Sequence, residues 1–277
     1  MQTITIVLVF PIEGIYFVPT WAVIAIVLSL IVSAVFWSLP WLLSLRGVEM
    51  RRHSLFGTVL VFEHADEDGT PVRLLNVNGT FQSATYLSDE LWSELVCEYH
   101  RTMADIISDH GHVRSVLIIG GGGYSLPKYL VTHTKRMQVT AVEIDPRITQ
   151  VARERFFLDR AEELAEGRLE LVNEDGWKYL RECGRSFDVI VNDAFSGARP
   201  LGVLGNAEGA ALIREHLTER GMYLANVRSP LEGRKAAVLE QVKEAFGQEF
   251  GNVEVIPERP GEPTVLANNV VVARVEA

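Results

Sequence analysis

At 277 residues the chain has room for one large α/β domain with accessory elements, or for two modest domains. Hydrophobic residues make up 48% and charged residues 22%, a globular composition, although the N-terminus takes a large share of the apolar residues. The formal net charge of -10, with no clustered basic surface, argues against a nucleic-acid partner. It leaves two readings open, an acidic cleft that steers cationic substrates such as polyamines, or plain solubility charge.

The first predicted element is a membrane helix. No Asp, Glu, Lys or Arg occurs from Gly14 to Leu45, and the stretch Trp21 to Trp37 is apolar apart from Ser29 and Ser33. A spanning helix needs about 20 such residues. Trp21, Trp37 and Trp41 suit the interfaces, Pro19 a helix start and Pro40 a helix end. A signal peptide or a buried core helix fits less well, because the first basic side chain is Arg46 and the apolar run is long. Arg46, Arg51, Arg52 and His53 follow the run and only Glu13 precedes it, so the positive-inside bias places the C-terminal side in the cytoplasm. Residues 3–10 are apolar and β-rich but too short to span; they extend the anchor or pair as a strand.

Residues 51–87 read as a small antiparallel β-region. The runs 57–63 and 72–77 are separated by a polar turn, and Asn78-Gly79 marks a second turn before residues 80–86. From Ser88, a plausible N-cap, Leu91, Leu95, Met103 and Ile107 recur at helical spacing. Residues 88–277 then read as one domain in which strands and helices alternate. Strands are predicted at 115–120, 138–144, 169–174 and 187–193, with helices near 125–134, 146–156, 175–182 and 206–219. Later strands are expected within 221–227, 252–257 and 265–275. Alternation of this kind predicts an open, mostly parallel, Rossmann-like sheet.

The chemistry sits at the ends of those strands. Gly120, Gly121, Gly122 and Gly123 join the first strand to a helix, a turn that lets backbone approach a ligand at a helix N-terminus. About twenty residues on, Glu143 ends the next strand, where a carboxylate suits both ribose hydroxyls of a nucleoside. Asp175 and Gly176 close the third strand and Asp193 the fourth. Ligands of open α/β sheets bind outside these carboxyl ends. Each acid alone has a second reading as a helix cap. Cys97 and Cys183 lack metal or redox spacing and are expected to be buried apolar residues in a reducing compartment; the seven histidines show no paired ligand spacing, so no metal is expected. Lys128 and Lys135 are expected on a solvated helix face.

The segments VLIIGGGG, AVEIDPRI, NEDGWKYL and FDVIVNDAF, in that order, resemble the motifs of spermidine and spermine synthases. NGTFQ (Asn78 to Gln82) and EYHRTM (Glu98 to Met103) resemble that family's N-terminal portion more loosely, and the likeness covers roughly residues 54–275. The resemblance implies a class I adenosylmethionine-type transferase fold. It implies that the glycine loop and Gly176 help bind S-adenosylmethionine or its decarboxylated form, Glu143 the ribose and Asp175 the adenine amino group. Asp193 would hold or deprotonate the attacking amine of a polyamine, with Gln82, Tyr99, His100 and Ser196 lining the acceptor cleft. A homodimer through the small β-region is implied as well.

Two departures weaken the polyamine reading. The family's glycine loop usually carries an acid where this chain has Gly123, and a second acid where it has Ser196. A charge-assisted hydrogen bond contributes about 1.5–3 kcal/mol, so losing two such groups matters. Aminopropyl transfer, methyl transfer from the intact donor, and a membrane-tethered nucleoside-binding protein without catalysis therefore stand side by side.

Overall fold

The computed structural model describes residues 7–9, 15–17, 19–66, 68–196, 199–200 and 202–275; the side chains at 7–18, 52–53 and 195–202 lie outside the description. The chain divides into two compact units, Met1–Arg51 and Arg52–Ala277.

In the first unit β1 (Val7–Val9) pairs antiparallel with β2 (Ile15–Phe17), the strand alternative for this segment; residues 3–6 and 10 lie outside the described ones. Helix α1 (Thr20–Ser44) follows, with mean hydropathy 2.6 over its most apolar window and no buried residue. At about 1.5 Å per residue it is long enough to cross a bilayer. Pro40 does not end it, contrary to expectation. The helix continues one more turn, and Leu45 N–H to Trp41 O and Arg46 N–H to Leu43 O close it.

β3 (Val48–Ser54), which runs across the division at Arg51, β4 (Gly57–Ala65), β5 (Pro71–Val77) and β6 (Thr80–Tyr86) form a sheet in that order. Asn78 and Gly79 both adopt positive φ (49° and 80°), as a two-residue hairpin turn of the primed type demands. The helix expected from Ser88 starts ten residues later. Ser88 Oγ accepts from Leu91 N–H and caps only a turn, while Trp92 and Leu95 are buried in irregular chain ahead of α2 (Glu98–Asp109).

The large sheet runs β14-β15-β13-β10-β7-β8-β9. Its strands are β7 (Ser115–Ile119), β8 (Gln138–Val142), β9 (Leu169–Val172), β10 (Phe187–Asn192), β13 (Leu217–Ser229), β14 (Val253–Ile256) and β15 (Ala267–Arg274). The two-stranded piece β11 (Phe195–Ser196) with β12 (Arg199–Pro200) follows β10. β13 to β9 are mutually parallel, and β15 joins antiparallel to both β13 and β14. Around the sheet lie α3 (Ser125–His133), α4 (Pro146–Arg155), α5 (Leu158–Ala165), α6 (Gly176–Glu182), α7 (Ala207–Glu215) and α8 (Ala237–Phe250). This is the Rossmann-like fold of class I adenosylmethionine-dependent transferases. The helix expected to reach 219 stops at Glu215, because His216 O accepts from Phe187 N–H and its Nδ1 meets Arg185 O, drawing the chain into the sheet. Two apolar clusters cover the sheet faces, one with Val116, Ile118, Val191 and Leu224, the other with Leu117, Ile190, Tyr223 and Phe246.

Lys128 corrects the expectation of a solvated helix face. It is fully buried, its Nζ donating to Thr85 Oγ1 (2.8 Å) and Phe156 O (3.1 Å), with the rings of Trp92 and Phe157 each 5.7 Å away. Burial pulls its pKa from 10.5 down to about 7. Between those values the unfolded chain binds a proton that the native chain does not, so this group makes stability rise with pH over that window. Lys128→Met is expected to raise stability by about 1–3 kcal/mol at pH 6 and to flatten the slope, read from thermal melts across pH. Cys97 and Cys183 are free but half-buried rather than buried. Lys135 is exposed, as expected.

Candidate active site

The carboxyl ends of β10, β7, β8 and β9, four neighbours in the sheet, open on one cavity of about 650 Å³. Gly120, Gly121, Gly122, Glu143, Asp175, Gly176 and Asp193 all line it, as do Gln82 and His100. Gly123 does not. Sequence reasoning missed the apolar part of the wall, which includes Ile144, Trp177 and Leu204.

The loop is glycine-rich for packing reasons that differ by position. A Cβ on Gly120, whose φ is +99°, would lie 2.7 Å from Asp193 O, so the β7 turn and the β10 end touch through backbone. A Cβ on Gly121 would meet Tyr124 Cζ at 2.6 Å. Tyr124 itself sits at φ 55°, buried, its hydroxyl 2.7 Å from Thr149 Oγ1. On Gly176 a Cβ would run into Ile119 Cγ2, so the start of α6 lies against β7.

Glu143 is folded into this loop. Its Oε2 accepts from Gly121 N–H (2.7 Å) and Gly122 N–H (3.3 Å), and its Oε1 from Asp145 N–H (2.9 Å). Burial pushes its pKa up, and the three backbone donors oppose that rise. Oε1, with one donor, keeps a further lone-pair direction for a ligand hydroxyl. Asn173 donates to Glu143 O at 2.7 Å. Asp175 caps α6 through Oδ1 to Lys178 N–H (3.0 Å), so the helix-cap reading holds for this acid while it also lines the cavity.

Asp193 sits at the centre of a polar cluster. Its Oδ2 accepts from the Tyr99 hydroxyl (3.1 Å) and meets His100 Nε2 (2.9 Å), and its Oδ1 accepts from Asn226 Nδ2 (2.9 Å). Tyr99 and Asn226 are buried and do not line the cavity themselves. Burial first, and the Asp193 charge second, hold the Tyr99 hydroxyl well above its ordinary range, so it remains a donor. For His100 burial lowers the pKa, but the bond to Asp193, with a smaller push from Cys97, raises it from 6.5 to about 9. The raised value favours the protonated form of His100 beside Asp193 at neutral pH. That pair contributes its full stabilisation below about pH 6.5 and loses it as pH rises through about 9. The His100 ring carbon resonances are expected to titrate near pH 9, and activity to change on that alkaline limb. Asp193→Asn is expected to return the His100 titration toward 6.5.

Gly123 lies outside the wall for a steric reason. A Cβ there would stand 2.7 Å from Ser83 Oγ, 2.9 Å from Ser83 Cβ and 3.0 Å from Phe156 Cδ1. Ser83 is itself buried and 3.0 Å from Ser125 Oγ. A side chain at 123 is therefore directed into packing between β6 and the end of α4. The side chain of Ser196 lies outside the described residues.

A family model for the spermine/spermidine synthase domain matches residues 96–261, more than half of the chain. The chain belongs to the spermine/spermidine synthase family. The match spans the Tyr99–His100 pair, the glycine loop and the three strand-end acids Glu143, Asp175 and Asp193. Among curated members, the chain is 30% identical over 166 residues to the polyamine aminopropyltransferase of Moorella thermoacetica, covering 59% of this chain and 58% of that protein. It is 32% identical over 165 residues to that of Thermococcus kodakarensis, covering 57% and 54%. The chain thus spans little more than half the length of these relatives. Among solved structures, a probable spermidine synthase from Corynebacterium glutamicum superposes with a TM-score of 0.67 at 20% identity, over 82% of this chain and 80% of that one. Human methyltransferase-like protein 13, solved in complex with SAH, gives 0.53 at 22% identity, over 65% and 83%. These likenesses establish a fold that the synthase family shares with methyltransferases.

Proposed function

We propose that this family member is a transferase that takes an adenosylmethionine-type nucleoside and moves one substituent of its sulfonium to a nucleophile beside Asp193. The observation that carries this is the meeting of Gly120–Gly122, Glu143, Asp175 and Asp193 on one cavity at four adjacent strand ends. Glu143 takes a ribose hydroxyl and Asp175 the adenine amino group, while Ile144, Trp177 and Leu204 offer apolar walls for the base. In the reaction the acceptor lone pair forms a bond to the carbon next to sulfur, and the C–S electron pair returns to sulfur as the neutral thioether leaves. The acceptor proton passes to Asp193, which Asn226, Tyr99 and His100 hold in place; positioning and proton removal are the protein's contribution.

Family membership supports aminopropyl transfer from the decarboxylated donor. Methyl transfer from intact adenosylmethionine is the second reading, supported by a glycine loop, Gly120–Gly123, that carries no acid to meet the donor's amino group or repel its carboxylate. Calorimetric titration with both donors separates the two. Aminopropyl transfer requires the decarboxylated donor to bind more tightly; an advantage of about tenfold or more for intact adenosylmethionine rules it out in favour of methyl transfer.

Helix α1 is proposed to cross a membrane once, with the second unit in the cytoplasm. Its length and hydropathy support this, as do Arg46 and Arg51 after it. Protease accessibility of the C-terminus in sealed right-side-out and inverted vesicles tests the orientation: cleavage only in inverted vesicles is expected, and cleavage in right-side-out vesicles contradicts it. A homodimer through the β3–β6 sheet is proposed on the family resemblance alone.

A further inference from the structure

Glu143 accounts for one ribose hydroxyl, and the ribose of a sulfur-substituted adenosine presents two. Its Oε2 already accepts from Gly121 and Gly122 N–H, so the open lone-pair direction is at Oε1, which holds Asp145 N–H. A carboxylate only accepts, whereas each hydroxyl also has lone pairs of its own to satisfy. The second hydroxyl therefore needs another polar group at the β8 end of the cavity.

Two β-turns meet at that end. The turn between β3 and β4 is tied to it, because Leu55 N–H donates to Asp145 Oδ2 at 2.7 Å. Asp145 is fully buried and is the same residue whose N–H meets Glu143. Phe56, next along, lines the cavity but is apolar. Gly57 follows at φ +114°, and a Cβ there would come 3.3 Å from both Cγ and Oδ1 of Asn78. Asn78, in the turn between β5 and β6, thus lays its amide against the turn bound to Asp145, and it too lines the cavity. Among the described residues that amide has no hydrogen-bond partner. Further along β6, the chain at Gln82 and Ser83 lies by Gly122 instead. The hairpin explains why position 78 tolerates a φ of 49°, a need that Asp or Gly would meet equally. It does not call for an amide at the cavity wall.

We propose that Asn78 is a nucleoside-binding residue whose amide holds the ribose hydroxyl that Glu143 leaves. This rests on the donor reading above and adds to it a residue from the small β-sheet. Glu143 and Asn78 together select a ribose over a deoxyribose.

The test is calorimetric titration of methylthioadenosine and its two monodeoxy analogues, each lacking one ribose hydroxyl. The proteins are the full-length chain, its Asn78→Gly and Asn78→Ala variants, and Thr80→Val, which removes a neighbouring hydroxyl from the cavity wall. Glycine suits the positive φ at no steric cost, and alanine is the second variant should the first fold poorly. In the wild type each missing hydroxyl is expected to weaken binding about fivefold or more, the size of one hydrogen bond. In both Asn78 variants methylthioadenosine itself is expected to bind about fivefold more weakly. One of the two analogues then binds them as well as methylthioadenosine does, because the hydroxyl it lacks has no partner left. Thr80→Val is expected to keep both penalties. Persistence of both penalties in a folded Asn78 variant, or loss of one in Thr80→Val instead, overturns the proposal and leaves the donor reading standing. No binding of methylthioadenosine to the wild type removes the donor reading itself.

Discussion

Asp193→Asn is expected to lower turnover by about two to four orders of magnitude while leaving nucleoside affinity nearly unchanged, the range in which a positioned proton acceptor contributes. Asparagine keeps the size of the side chain, but its single amide oxygen can accept from Asn226 or from Tyr99 and not from both. It loses the charge that holds His100 protonated and the capacity to take a proton from the acceptor. Glu143 and Asp175, which serve the nucleoside, stand on other strands and are untouched. Single-turnover rates together with donor titration separate the two effects. A variant that turns over normally would show that Asp193 is structural, and a parallel loss of donor affinity would place it in the nucleoside site instead.

The second large effect is expected from one methyl group. Gly120→Ala puts a Cβ 2.7 Å from Asp193 O and 2.8 Å from Asp193 C, at a backbone φ of +99°. The obstruction is backbone rather than a flexible side-chain end, so the β7 turn and the β10 end must separate. Overpacking of this kind costs about 1–3 kcal/mol, and the unfavourable φ adds to it. The expected result is a folded but less stable protein that binds nucleoside at least about tenfold more weakly, measured by denaturant unfolding and calorimetry. Unchanged affinity would mean that the close approach of the two strand ends does not shape the site.

Much of this arrangement was legible in the sequence because strand ends announce themselves. VLIIGGGG, AVEI and FDVIVND each switch from an apolar β-branched run to glycine or acid, and the structure ends β7, β8 and β10 at or beside those switches. The Asn78-Gly79 turn was legible for the same reason, since few residue pairs tolerate positive φ twice in succession.

What escaped notice depends on contacts between segments distant in sequence. Asn226 looked like one polar residue inside the strand run GMYLANV; only its pairing beside β10 brings it to Asp193, 33 positions away. The run of Leu239, Val242, Ala245, Phe246 and Phe250 carries a helical period and marks α8, which sequence reading passed over. Lys128 read as a solvated helix residue because nothing local predicts that Thr85, Trp92 and Phe157 close over it. The early helix start at Ser88 failed because Leu91 and Leu95 do recur at helical spacing, yet Leu95 is buried in irregular chain. Pro40 misled in the other direction, since an apolar helix continued past a residue that usually stops one.

The central claim is that the four strand ends form a site for an adenosylmethionine-type nucleoside. Titration of methylthioadenosine into the full-length chain and its Glu143→Gln variant tests it most directly. Saturable one-to-one binding to the wild type, weakened about tenfold or more when one carboxylate acceptor becomes a donor, is the predicted result. No binding, or equal binding to a correctly folded Glu143→Gln protein, contradicts the account.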